Sequence, residues 1–178
     1  LYLVFNEGYL ATGDGDLVRA ELTGEAIRLA RILRQLLPEE PEVAGLPGLL
    51  LLTEARREAR VRNGQLVPLG EQDRAGWDRL QIVEGHALVR ECLAINRPGR
   101  YQILAAINAV HTDAPTASDT DWSQVVALYD QLTRLDRKTD ALQHEAILVA
   151  AVAEEHVVET KIALEVGQHD ARLDLLRF

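Results

Sequence analysis

The 178-residue sequence has no methionine and one cysteine, and aromatic residues make up only 4% of it. Serine occurs twice, as Ser118 and Ser123, and lysine twice, as Lys138 and Lys161. Each shortage excludes something. A lone Cys92 permits neither an internal disulfide framework nor a cysteine-based zinc site, and its helical surroundings predict a small buried hydrophobe. Neither serine sits in a nucleophile elbow, and no Cys–His pair has a recognisable frame. No apolar run approaches the ~18 residues of a membrane span, and the leucine run 49–52 falls far short. No signal peptide is visible. Few aromatics beside abundant Leu and Ala is the palette of packed helices rather than sheets. The net charge of −9 and a pI near 5.0 disfavour nucleic-acid binding by this portion, because phosphate contacts need clustered Lys and Arg. A chain that opens on Leu1 rather than Met is expected to be a fragment of a longer protein.

What is present is helical periodicity. Across residues 17–37, Leu22, Ala26, Leu29, Ala30, Leu33, Leu36 and Leu37 recur at helical spacing. Glu21 and Glu25 come early and Arg28, Arg31 and Arg34 late, which complements the helix dipole. Asp16, after the loop Gly13-Asp14-Gly15, is placed to cap this helix, and Pro38 ends it. Residues 41–57 read as a second helix with Pro41 in its first turn, but Pro47 removes a backbone donor and predicts a kink or break. Asn63-Gly64 between short alternating segments signals a hairpin, with Pro68 keeping the second arm at an edge. Residues 72–96 form a long amphipathic helix whose predicted buried side is Trp77, Leu80, Ile82, Val83, Ala87, Leu88, Cys92 and Leu93; Arg97-Pro98-Gly99 closes it. Residues 101–112 follow, then 122–135 capped by Asp119 or Asp121, then 140–155 and 157–166. The fold class is therefore all-α: antiparallel helical pairs in a tetratricopeptide-like bundle or short solenoid, with one small β-hairpin or ordered loop near 60–69. Residues 1–135 form the main helical domain, and 136–178 continue it as a further helical pair.

Candidate chemistry is sparse. None of His86, His111, His144, His156 and His169 belongs to a His-Glu-x-x-His pattern; Glu155-His156 with Glu159 comes nearest and reads as a solvated face. His111, beside Asp113 at a helix end, is a capping or packing residue or, alternatively, a ligand or pH sensor. Gly13-x-Gly15 lacks the third glycine of a dinucleotide site, and no Walker loop exists. No catalytic constellation emerges, so no enzyme, metal or cofactor is expected. Two clusters remain. Tyr2, Phe5 and Tyr9 form either core or a docking surface. Arg56, Arg57 and Arg60, with Arg62, form either a solvated loop with salt bridges or an interaction surface for an acidic partner or another domain.

The segment Tyr2-Leu3-Val4-Phe5-Asn6-Glu7-Gly8-Tyr9 carries a resemblance. It is similar to the start of the C-terminal extension in a bacterial family of extracytoplasmic-function sigma factors, members of the sigma-70 family. Further segments resemble that tail in order: Leu17-Val18-Arg19-Ala20-Glu21-Leu22, Glu40-Pro41-Glu42-Val43-Ala44-Gly45-Leu46, Trp77-Asp78, Gly99-Arg100-Tyr101-Gln102, Ala105-Ala106-Ile107-Asn108-Ala109-Val110-His111 and Asp119-Thr120-Asp121-Trp122. The likeness covers residues 1–135. It implies a cytoplasmic regulatory and protein-interaction domain acting in transcription initiation, with the promoter-reading domains upstream of Leu1. The implied partners are those upstream domains, the RNA polymerase core and an unidentified protein regulator, with promoter DNA reached only through the upstream domains and no membrane involved. The alternative from another class is a free-standing helical scaffold that binds a peptide or small ligand.

Overall fold

A helix that is apolar on every side has to lie in the middle of its domain, and residues 41–54 form such a helix. The structure, a computed structural model, describes residues 1–10, 16–62 and 65–139. The chain divides into two compact units, Leu1–Lys138 and Thr139–Phe178, and the packing that follows belongs to the first. The chain is all-α with one small hairpin. The described helices are α1 (Tyr2–Leu10), α2 (Asp16–Leu36), α3 (Pro41–Glu54), α4 (Arg57–Arg60), α5 (Arg79–Ile95), α6 (Arg100–Asp113) and α7 (Trp122–Thr139). Strands β1 (Val61–Arg62) and β2 (Gln65–Leu66) pair antiparallel, Val61 opposite Leu66 and Arg62 opposite Gln65. That is the hairpin expected around Asn63-Gly64, residues that themselves lie outside the described ones. The loop expected at 13–15 and the helices expected at 140–155 and 157–166 also lie outside them.

The central helix α3 meets α2, α5 and α6. Leu50, Leu51 and Leu52 have no exposed surface, and each contributes roughly 1.5–3 kcal/mol of transfer free energy. Its neighbours come unusually close because glycines stand at the contacts. A Cβ on Gly45 would lie 2.6 Å from the Gln102 backbone nitrogen of α6, and one on Gly85 of α5 would lie 2.6 Å from Leu52 Cγ. Pro41 occupies the first turn as expected, but α3 runs unbroken through the buried Pro47, with no break there. Burial on all sides outweighs the hydrogen bond that Pro47 cannot donate to the preceding turn.

Three apolar clusters fill the interior. Phe5 of α1 joins Ala26, Ile27 and Ala30 of α2 with Leu46, Leu50 and Leu51 of α3. Leu49, Leu52, Trp77, Ile82, Val89 and Ala105 form the second. Ile103, Ile107, Val125 and Leu132 join α6 to α7.

The helix expected from Gln72 begins only at Arg79. The Asp78 carboxylate accepts from the backbone N–H groups of Leu80 and Gln81 at 2.9 and 3.1 Å, which makes Asp78 the N-cap. Asp73 similarly caps a 3-10 turn over Arg74–Gly76. These two short-range caps, one on either side, keep Trp77 out of the helix, and the residue is buried there. The buried face of α5 is correspondingly rotated: Ile82, Gly85, Leu88, Val89 and Cys92 face inward. Leu80, Val83 and Leu93, expected inside, are 83%, 66% and 66% exposed. At the other end Asn96 takes the left-handed conformation, φ 52°, and its N–H reaches the Cys92 and Leu93 carbonyls.

Candidate functional site

Phe5 and Tyr9 lie four residues apart and so share one face of α1. Their rings stack, centroids 5.5 Å apart and planes 18° apart. The Arg60 guanidinium carbon sits 4.0 Å from the Tyr9 ring centroid and that of Arg57 6.0 Å from it. Arg60 Nη1 also donates to the Tyr9 carbonyl at 2.7 Å, satisfying an acceptor at the C-terminal end of α1. The aromatic cluster and the basic run, some 50 residues apart in sequence, therefore meet at one site.

The charges there are compensated within the domain. Arg57 makes a two-pronged contact with Glu54, Nε to Oε1 at 2.7 Å and Nη2 to Oε2 at 3.1 Å. Its Nη2 also donates to the Thr23 hydroxyl of α2 at 2.8 Å. Thr23 is wholly buried, and its hydroxyl lies 3.0 Å from both Glu54 Oε1 and the Ala20 carbonyl. Arg60 is 5% exposed. The site thus clasps α1 against α2, α3 and α4, combining stacking, cation–π contact and charge-assisted hydrogen bonds.

The other three residues of these clusters are placed apart. Tyr2 turns to Tyr101 of α6, ring centroids 5.6 Å apart, and burial pushes its hydroxyl up, partly offset by a hydrogen bond with Asn6. Arg56, 6% exposed, turns instead to α6 and donates Nη2 to Asn108 Oδ1 at 3.1 Å. Arg62 is exposed on β1.

Near Arg56 lies a second set of polar contacts that no local sequence pattern announces. Arg74 Nη1 donates to the carbonyls of His111 and Ala114 at 2.5 and 2.7 Å, and its guanidinium carbon lies 4.7 Å from the Trp77 ring centroid. Burial and the Arg56 charge lower the Arg74 pKa, while Asp119 acts against them. His111 is buried edge-on to Trp122, ring centroids 5.5 Å apart, which is the geometry of a packing residue. His86 lies 2.8 Å from the Thr112 hydroxyl, and burial holds its pKa below the usual histidine value. Cys92 is buried as expected, which pushes its thiol up. Among the described residues no three His, Cys, Asp or Glu side chains converge on a point that could hold a metal ion, and no helix is long and apolar enough to cross a membrane.

The model of a family of unknown function, DUF6596, matches residues 1–93, the stretch that runs from the α1 clasp through most of α5. An uncharacterized protein of Rhizobium meliloti (strain 1021) is 44% identical over 151 residues, 84% of this chain and 36% of that protein. The chain therefore spans little more than a third of the length of the curated relative it matches. No solved structure matches it.

Proposed function

The chain belongs to the DUF6596 family, whose function is unknown, and on its sequence resemblance we propose that it is the C-terminal helical extension of an extracytoplasmic-function sigma factor, a non-enzymatic domain that regulates transcription initiation through protein contacts. The carrying observation is the clasp on α1. In the sigma-factor reading this helix directly follows the promoter-reading domains, and Phe5, Tyr9, Arg57 and Arg60 bind it firmly to the helical body. A stiff junction lets a contact made on the body bias the position of whatever precedes Leu1, which is what masking or releasing a promoter-reading domain requires. The ordered series of sigma-like segments supports the reading. So does the acidic surface, which suits a domain that leaves DNA to its neighbours. The partners in this reading are the upstream domains, the polymerase core and a regulator protein, all in the cytoplasm.

The test is in vitro transcription with the whole protein, with and without residues 1–178, and with Arg60→Met. Deletion is expected to change promoter-dependent transcript yield several-fold, and Arg60→Met to move it in the same direction while the domain stays folded. Equal yields from all three proteins would overturn the proposal.

A further inference from the structure

The solvent face of α5 carries charge that the domain does not neutralise. Arg79, Val83, His86, Arg90 and Leu93 follow one another at steps of four, three, four and three residues, so they form one line along the helix. Arg79 and Arg90 are both exposed, and three helical turns hold them about 16 Å apart. Neither guanidinium makes an ion pair or a hydrogen bond among the described residues. The other rim of the same face differs: Glu84 pairs with Arg31 of α2 at 2.6 Å, and Glu91 pairs with Arg34 of α2.

Nothing on this line serves the helix itself. Arg79 stands in the first turn, where the positive end of the helix dipole disfavours a cation. The carboxylate of Asp78 beside it is occupied by the backbone N–H groups of Leu80 and Gln81. Val83 and Leu93 are each 66% exposed, and half-buried His86 lies between them. A single exposed apolar residue is ordinary. A line in which such residues alternate with unpaired cations, at a cost to the helix, fits a surface made for something outside the domain.

A partner for this line must carry negative charge at two points about 16 Å apart, with apolar surface alongside. A helix supplies that with carboxylates three turns apart and leucines at the other turns. Nucleic acid and an anionic bilayer are negative too, but each presents an extended field that meets the whole face. The Glu84 and Glu91 rim and the net charge of −9 oppose such a field. A single helix can lie along the cationic line alone. We propose that the line from Arg79 to Leu93 on α5 binds an acidic amphipathic helix of a partner protein, its carboxylates on Arg79 and Arg90 and its apolar residues on Val83 and Leu93. This gives a chemistry to the partner in the interaction-domain reading above and rests on that reading for the partner's being a protein.

The probe is a blocked, fluorophore-labelled, alanine-based helix with two glutamates and three leucines at the steps of the α5 line, glutamates opposite Arg79 and Arg90. Titrated with the 178-residue chain at low salt and followed by anisotropy, it should saturate with a dissociation constant on the order of 0.1 mM. Raising the salt to about 0.5 M should weaken binding about fivefold. The same helix with lysines for its glutamates should bind at least about tenfold more weakly. Arg90→Gln should weaken the glutamate helix about threefold, and the double variant Arg79→Glu, Arg90→Glu should prefer the lysine helix. Arg79→Gln should weaken binding while leaving the melting temperature unchanged or higher. No saturable binding, equal binding of the two helices, no effect of Arg90→Gln, or a lower melting temperature for Arg79→Gln would each overturn the proposal. So would sedimentation of the chain with phosphatidylserine vesicles that Arg90→Gln abolishes, which would assign the line to a lipid surface. Transcription assays on the whole protein report separately: probe binding without a transcriptional role would sink the sigma-factor reading and leave the surface, and the reverse would sink the surface alone.

Discussion

The two ends of α6 are held by opposite charges borrowed from distant parts of the chain. At the N-terminal end Glu42 of α3 accepts from the backbone N–H of Tyr101 at 2.9 Å and of Gln102 at 3.3 Å. At the C-terminal end Arg74 donates to the His111 and Ala114 carbonyls. Negative charge at the start and positive charge at the end is the arrangement that a helix dipole favours. Yet the ends differ. The first is a carboxylate on two donors, seated tightly enough that a Cβ on Gly99 would strike it at 2.2 Å. The second is a guanidinium lying over Trp77 and sharing its surroundings with the like charge of Arg56. The N-terminal tie depends on close backbone approach and the C-terminal tie on burying a cation, so substitutions should separate them.

The largest effect should come from removing the close approach. Gly45→Ala puts a methyl 2.6 Å from the Gln102 nitrogen, a backbone atom that cannot swing aside. Overpacking should cost about 2–3 kcal/mol even after the helix-propensity gain of alanine, read as a lower urea midpoint. Gly24→Ala in α2, with nothing within 4 Å of its Cβ, is the control and should stabilise by up to about 1 kcal/mol.

Arg74→Ala should come next, at about 2 kcal/mol, because it strips two carbonyls of a charge-assisted donor and uncovers Trp77. Arg74→Lys keeps the charge without the planar fork and should recover only part of the loss in the same denaturation experiment. Glu42→Gln should cost less, about 1 kcal/mol, since the amide oxygen can still accept from the Tyr101 N–H while the charge and the longer second bond to Gln102 are lost. A larger loss at Glu42 than at Arg74 would reverse the ranking of the two ends.

The smallest effect is a pH dependence near the C-terminal end. His86, hydrogen-bonded to Thr112, has its pKa lowered from the usual 6.5 mainly by burial; Asp113 opposes this and Arg90 reinforces it. The unfolded chain then binds a proton at a higher pH than the folded one. This contribution is fully present above about pH 6.5 and is lost as pH falls from there toward the folded-state pKa. Melting temperatures of the wild type should decline across that window, and His86→Gln should flatten the decline.

Much of the fold was legible in the chain. The stripe in residues 17–37, the Pro41 start of α3, the Asn-Gly hairpin and the Arg-Pro-Gly stop each rest on chemistry contained within a few residues. The start and face of α5 were less so. Asp78 is a cap only if the chain turns there, and Gly85 marks a buried face by lacking a side chain, which no hydrophobic pattern registers. The site was half legible. Phe5, Tyr9, Arg57 and Arg60 stand out as clusters, but that the arginines would embrace Tyr9 follows from the docking of α1 and not from spacing. Glu42, Arg74, Asn108 and Gln102 carry no local signal, since their partners lie tens of residues away.

By itself, then, the sequence determined that this is a helical protein with one hairpin, because helix period, caps and turn chemistry are short-range. Tertiary structure decided which charges became internal. Burial turns a run of arginines from a solvated patch into a clasp on α1 and a partner for Asn108, since a guanidinium leaving water must find acceptors or aromatic faces, and only the folded chain brings them within reach.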